Sequence, residues 1–204
     1  MAPDLQQSLA GLGYAISMKQ PNLILILGLP GAGKTTLAKK LATKLNLPLI
    51  IKDDLKVLLL DTYGWKDREA SVRAGGVSYK IMDYVIEEQL RVGNSLIVES
   101  TFDPKFDDAR FQTWEQKYHV RYAQLYCYAD ADVIRKRFRD RSKTDDRHVS
   151  YTEGEAGLQN LEKYIQQGIN PLAISGSLIE VDTTDFNKVD FEGLLVRLRE
   201  YLAG

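Results

Sequence analysis

Leu23-Ile24-Leu25-Ile26-Leu27-Gly28-Leu29-Pro30-Gly31-Ala32-Gly33-Lys34-Thr35-Thr36 decides how this chain is read. Five apolar residues run without a break into a glycine–proline cluster, the pattern of a short strand buried on both faces. From Lys34 the spacing turns helical, with Leu37, Leu41 and Leu45 one above another as far as Asn46–Pro48. Between the two, Gly28 to Thr35 matches G-x-x-x-x-G-K-[ST] at every fixed position. The glycines let the backbone curl so that the N–H groups of Gly28, Pro30-Gly31-Ala32 and Gly33 (proline excepted) face phosphate oxygens. The helix that follows adds its positive end. Lys34 suits the β- and γ-phosphates of ATP, the Thr35 hydroxyl is a hard ligand for Mg²⁺, and Thr36 can donate to the α-phosphate. Gly31-Ala32-Gly33 with Asp53 some twenty residues on also imitates a dinucleotide fingerprint, but Thr36 stands where its third glycine belongs. The phosphate-loop reading wins.

Outward from this core the pattern repeats. Leu49–Ile51, Ser95–Val98, Val120–Cys127 and Leu178–Asp182 read as four more strands. A long helical period through Val77, Ile81, Val85 and Gln89 stops at Gly93–Asn94. A last helix from about Lys188 sets Phe191, Leu195, Leu198 and Leu202 on one face. Strands alternating with helices predict an α/β class with a parallel sheet covered on both sides. Neither an internal repeat nor a low-complexity linker divides the chain.

Length and composition bound the rest. A chain of 204 residues makes one ordinary domain. At that size it buries about 70% of its unfolded surface and needs no staples. One cysteine, Cys127, allows no internal disulfide, and with only His119 and His148 beside it there is no zinc cage. A net charge of −1, from 27 basic and 28 acidic residues, argues against nucleic acid or an anionic membrane as a standing partner. Hydrophobic content of 44% with 27% charged residues rules out disorder and membrane spanning. In residues 1–20 the first basic residue is Lys19, and Gly11 and Gly13 interrupt the apolar run, so the segment reads as a short arm rather than a signal peptide. The expected compartment is therefore the cytoplasm, with the functional domain over residues 21–204.

Three further places carry candidate chemistry. Lys52-Asp53-Asp54-Leu55-Lys56 follows the second strand, where a carboxylate at the strand's C-terminal edge faces the ligand crevice. Asp53 can take the proton of an acceptor hydroxyl, and the competing role is an N-cap for the next helix; the preferred division is Asp53 for chemistry and Asp54 for structure. Glu99, at the end of the third strand, stands on the same edge as the phosphate loop. It can hold a Mg²⁺ water or the acceptor, or simply be a polar strand end meeting solvent. Residues 135–147 hold seven basic side chains against Asp140, Asp145 and Asp146. On a helix Arg137 and Arg141 share one face while Arg135 and Arg139 lie roughly opposite, so one pair meets a nucleotide, at its phosphates or its base. Residues 142–151 lack an apolar period and read as a charged lid. Cys127 reads as a buried small apolar group, His119 precedes a strand with no acid partner in sequence for a triad, and His148 reads as a solvated loop histidine in the lid, where the alternative is contact with substrate.

Taken together, the phosphate loop, Lys-Asp-Asp-Leu-Lys after strand two, Glu-Ser-Thr-Phe after strand three, the arginine pair and Val181-Asp182-Thr183-Thr184 resemble the small P-loop kinases. The likeness is greatest to zeta-toxin-like kinases and the kinase domain of polynucleotide kinases, and covers about residues 21–202. It implies a P-loop NTPase fold of three α/β/α layers whose five-stranded parallel sheet has the order 2-3-1-4-5. It also implies ATP-dependent phosphorylation of a hydroxyl with Mg²⁺, Asp53 facing the acceptor, Arg137 and Arg141 around the phosphates, and the backbone after Asp182 near adenine. Two positions depart from the pattern. Lys56 stands where relatives commonly carry arginine and cannot make the same bidentate contact to phosphate, and Glu99 stands where some carry aspartate. The leading expectation is a kinase for a small-molecule hydroxyl. The rivals are a toxin-like or repair-type kinase acting on a nucleotide sugar or on a polynucleotide 5′ hydroxyl, the polynucleotide being disfavoured by the charge balance, and a regulatory module that hydrolyses ATP slowly or not at all.

Overall fold

The computed structural model describes residues 20–64, 66–141 and 154–204. The arm expected over residues 1–20 falls outside them but for Gln20, and so does the lid expected at 142–151, with His148. Five strands form one sheet: β1 (Asn22–Gly28), β2 (Leu49–Ile51), β3 (Leu96–Glu99), β4 (Arg121–Tyr128) and β5 (Ser177–Asp182). All neighbours are parallel and the order is β2-β3-β1-β4-β5, as the resemblance implies. Every residue of β1 is buried, because the central strand is covered above and below.

Alternation along β1 divides the core in two. Ile24 and Ile26 face α1 (Lys34–Leu45), through Leu37, Ala38 and Leu41, and α7 (Phe191–Ala203), through Leu194, Leu195 and Leu198. Leu23, Leu25 and Leu27 face the other way, onto Met82, Ile86 and Leu90 of α3 (Arg68–Arg91) and onto Phe111 and Trp114 of α4 (Pro104–Tyr118). Each such side chain, fully removed from water, contributes roughly 1.5–3 kcal/mol, so both layers are held by burial. Helix α3 runs through Gly75–Gly76 without a break, because Asp67 caps its N-terminus and three apolar turns anchor its far half.

The remaining helices are α2 (Lys52–Tyr63), α5 (Ala131–Arg141) and α6 (Gly154–Gln167). Two boundaries differ from expectation. A short 3₁₀ turn occupies Phe186–Lys188, and α7 starts only at Phe191, where the Asp190 carboxylate accepts from the Gly193 N–H at 2.9 Å. Nor is either Asp53 or Asp54 an N-cap. Helix α2 begins directly from β2, its cap position is Ile51 with no side-chain cap, and both aspartates lie in the first turn. There they complement the positive helix end instead of closing it.

Candidate active site

The phosphate loop gets its shape from residues that must sit where only glycine is comfortable. Gly31 has φ 89° and follows Pro30, with the Ala32 N–H bonded back to the Leu29 carbonyl at 3.1 Å, the pattern of a type II turn. At Gly28, φ is 136° and a Cβ would fall 2.1 Å from the Cys127 carbonyl oxygen, so β4 leaves no room for a side chain. Gly33 caps α1 in the left-handed region with no side-chain bond to the first turn, leaving those N–H groups to the nest. Thr36, in that first turn, is exposed.

Behind the loop stands a clamp. Thr183, fully buried in the segment after β5, places its Oγ1 2.9 Å from the carbonyl oxygens of both Ala32 and Tyr128. Arg137 of α5 donates to the carbonyls of Thr183 at 2.6 Å, Thr184 at 3.3 Å and Gly31 at 3.4 Å. The loop is thereby tied to both neighbouring segments from the rear.

At its mouth the structure gathers Lys34, Thr35 and Glu99. The Thr35 hydroxyl donates to Glu99 Oε2 at 2.7 Å, and Lys34 Nζ lies 3.8 Å from Oε1 while donating to the Leu29 carbonyl at 3.1 Å. Lys34 and Glu99 are both buried. Burial lowers the pKa of the Lys34 ammonium, against the pull of Glu99 and Asp53. The same burial raises that of Glu99, against Lys34 and Thr35. Glu99 is thus no strand end meeting solvent. A hydroxyl and a carboxylate side by side are the hard oxygen donors Mg²⁺ accepts, and one or two of them suffice beside substrate phosphates. No group of three histidine, cysteine or acidic residues able to hold a metal by itself exists among the described residues. These donors fit a nucleotide-borne ion.

Asp53 stands exposed at the crevice rim, paired with Lys52 Nζ at 3.2 Å. Partial enclosure pushes its pKa up, but Lys52, Lys34 and Lys56 outweigh that and hold it below the ordinary aspartate value. The arginines separate by face as the helical spacing predicts. Arg135 makes paired bonds to Glu162 of α6, and Arg139 acts on the same carboxylate. Arg137, expected at the phosphates, instead donates to backbone carbonyls of Gly31, Thr183 and Thr184 behind the loop, and Arg141 is close enough to Lys34 to lower its pKa. Cys127 is buried, with its thiol pushed up to about 12 by desolvation. One contributor, Thr183, carries no signature of its own in the sequence. Thr183 is marked there only as part of a stretch that the family resemblance sets near adenine.

The family model described as an AAA domain matches residues 23–164. The chain belongs to that family. Its sheet order and phosphate loop are those of the small P-loop kinases. A solved structure from Chloroflexus aurantiacus j-10-fl, named provisionally as a kinase, is 34% identical, with a TM-score of 0.83 over 89% of this chain and 98% of that one. Below it in identity, a sugar kinase from Janibacter sp. HTCC2649 shares the fold at 15% identity and TM-score 0.54, covering 90% of this chain and 95% of its own. Chaetomium thermophilum Kti12 in complex with ADP-AlF3 does so at 18% identity and TM-score 0.59, covering 89% and 100%. No curated protein matches the sequence. Among the described residues, no helix of this family member is long and apolar enough to cross a membrane.

Proposed function

We propose that this AAA-domain protein is an ATP-dependent phosphotransferase that moves the γ-phosphoryl group of ATP to a hydroxyl of a small-molecule acceptor. The reading rests on one arrangement: Lys34, Thr35 and Glu99 converge at the mouth of a glycine nest, with Asp53 on the rim of the same crevice. The nest and the α1 N-terminus bind the phosphates through backbone N–H groups. Lys34 and Arg141 offset the negative charge of the transferring group. Mg²⁺, when bound, neutralises charge on the phosphate oxygens, and Thr35 and Glu99 are the residues that would hold it. Asp53, ionised at neutral pH, orients the acceptor hydroxyl and takes its proton. The acceptor oxygen forms a bond to phosphorus as the bond to the β–γ bridging oxygen breaks, and ADP leaves. A lone cysteine kept as a buried thiol suits work in the cytoplasm.

The test is a panel of hydroxyl-bearing metabolites scored for ADP release over a no-acceptor control, run beside Lys34→Ala. Acceptor-dependent release that vanishes in a folded Lys34→Ala protein is the expected result. Unchanged ADP release in that variant would remove the nucleotide site from the account.

A further inference from the structure

One side chain of α3 touches both ends of the crevice. Tyr79 is half-buried, its ring packed on the core layer that includes Met82 and Phe102. Its hydroxyl donates to the Thr101 carbonyl at 3.1 Å and accepts from Ser100 Oγ at 3.2 Å. Those two residues directly follow Glu99 in the chain. On the other side, Lys52 Nζ lies over the Tyr79 ring, 4.9 Å from its centroid, and Lys52 holds Asp53 at 3.2 Å. The end of β3, with Glu99, is therefore linked through Tyr79 to the first turn of α2, with Asp53.

Packing alone does not call for this residue. Met82 and Ile86, which follow on the inward side of α3, fill the core with apolar groups, and a phenylalanine or leucine would do the same at position 79. A tyrosine keeps a polar tip that must find a partner, and here the partners are the residues after Glu99. The phenol pKa is raised to about 12, chiefly by burial, so the donor to Thr101 is present at every physiological pH. Lys52 gains from the ring what it lacks by itself. Its stem is flexible, and an ion pair with an exposed carboxylate is a weak restraint, whereas a cation on a fixed aromatic face has a defined seat. Helix α2 has no side-chain cap to fix its first turn, so that seat matters more.

We propose that Tyr79 is a positioning residue of phosphoryl transfer, which sets the placement of Asp53 relative to Glu99 by holding Lys52; this inference rests on the kinase reading above. Phosphoryl transfer is sensitive to such placement, because reacting atoms must meet within about 3–3.5 Å and in line.

The experiment uses the full chain with Mg²⁺–ATP and water as the acceptor, so that no identified substrate is needed. ADP release and calorimetric ATP affinity are measured for Tyr79→Phe, Tyr79→Leu, Lys52→Met and the double variant Tyr79→Leu/Lys52→Met. The ring-current shift of Lys52, observed by NMR after ¹³C-methylation of the lysines, reports whether the ammonium still sits on the ring. Tyr79→Phe keeps the ring, so it retains that shift and shows the smaller loss. Tyr79→Leu loses the shift and at least about tenfold in ADP release, with ATP affinity within about twofold of the parent. The double variant is no slower than Lys52→Met, because the ring acts through the lysine. The inference falls if folded Tyr79→Leu releases ADP at the parent rate, if the two single losses multiply, or if ATP affinity drops in step. Failure of the kinase reading looks different, since none of the hydroxyl-bearing metabolites would then raise ADP release above the water-only rate.

Discussion

Replacing Thr183 with valine should loosen the phosphate loop without touching any residue that meets the nucleotide's phosphates. The substitution keeps shape and volume, so no cavity opens, and only the hydroxyl is lost. That hydroxyl has one proton and two acceptors at 2.9 Å, the carbonyls of Ala32 and Tyr128. Tyr128 keeps a second donor, the Thr183 backbone N–H at 2.8 Å, so it is not stranded. Ala32, which is fully buried, loses the Thr183 hydroxyl on its carbonyl. A net hydrogen bond is worth about 1 kcal/mol and a buried unsatisfied acceptor costs about 1–3, so the variant should lose roughly 1–2 kcal/mol. For a chain of this length that lowers Tm by about 2–8 °C. Because Ala32 lies inside the nest, ATP affinity should fall several-fold, while Thr183→Ser, which keeps the hydroxyl, should bind ATP like the parent. Thermal melts and calorimetric titration of the three proteins decide the matter. If Thr183→Val melts and binds ATP as the parent does, the hydroxyl does not hold the loop and the clamp argument is wrong.

Asp53→Asn should bind Mg²⁺–ATP with near-parent affinity and lose about two orders of magnitude or more in acceptor-dependent turnover, since an amide cannot take a proton at neutral pH; its melting temperature should barely move, because Asp53 is not the cap of α2. Arg141→Ala should slow turnover at least about tenfold, whereas Arg135→Ala, which breaks the ion pairs with Glu162 and Asp132, should leave turnover near the parent rate. Equal losses at the two positions, in the same ADP-release assay, would mean that the charged run acts as a diffuse surface. Cys127 should ignore a thiol reagent at pH 8 in the folded protein and react fully in denaturant, as a buried thiol with a pKa near 12 requires; rapid labelling of the native state would contradict its burial.

Much of this site is legible in the order of its residues. The apolar run of β1, the glycine loop and the helical leucines are short-range signals, settled within a few residues by sterics and side-chain period. Arg137 and Arg141 fall on one face for the same reason, since four residues bring a helix back to its starting side. The N-cap expected at Asp53 or Asp54 is the exception. Propensity favours aspartate at that place, but β2 passes into α2 with no intervening turn, so Ile51 takes the cap position and the aspartates move inside the helix.

The chain by itself determined an alternating α/β domain, a phosphate loop between its first strand and helix, and carboxylates at the ends of the next two strands. Tertiary structure alone decided which of these groups touch. Thr183 reaches Ala32 across 151 residues, Thr35 meets Glu99 across 64, and Tyr79 finds Ser100 across 21. No local period encodes such meetings. They exist because β3 and β4 flank β1, so the segments leaving β3 and β5 are carried to the same edge of the sheet as the phosphate loop. Burial at that edge then shifts Lys34 and Glu99 in opposite directions, an effect of surroundings that neither residue carries in its own side chain.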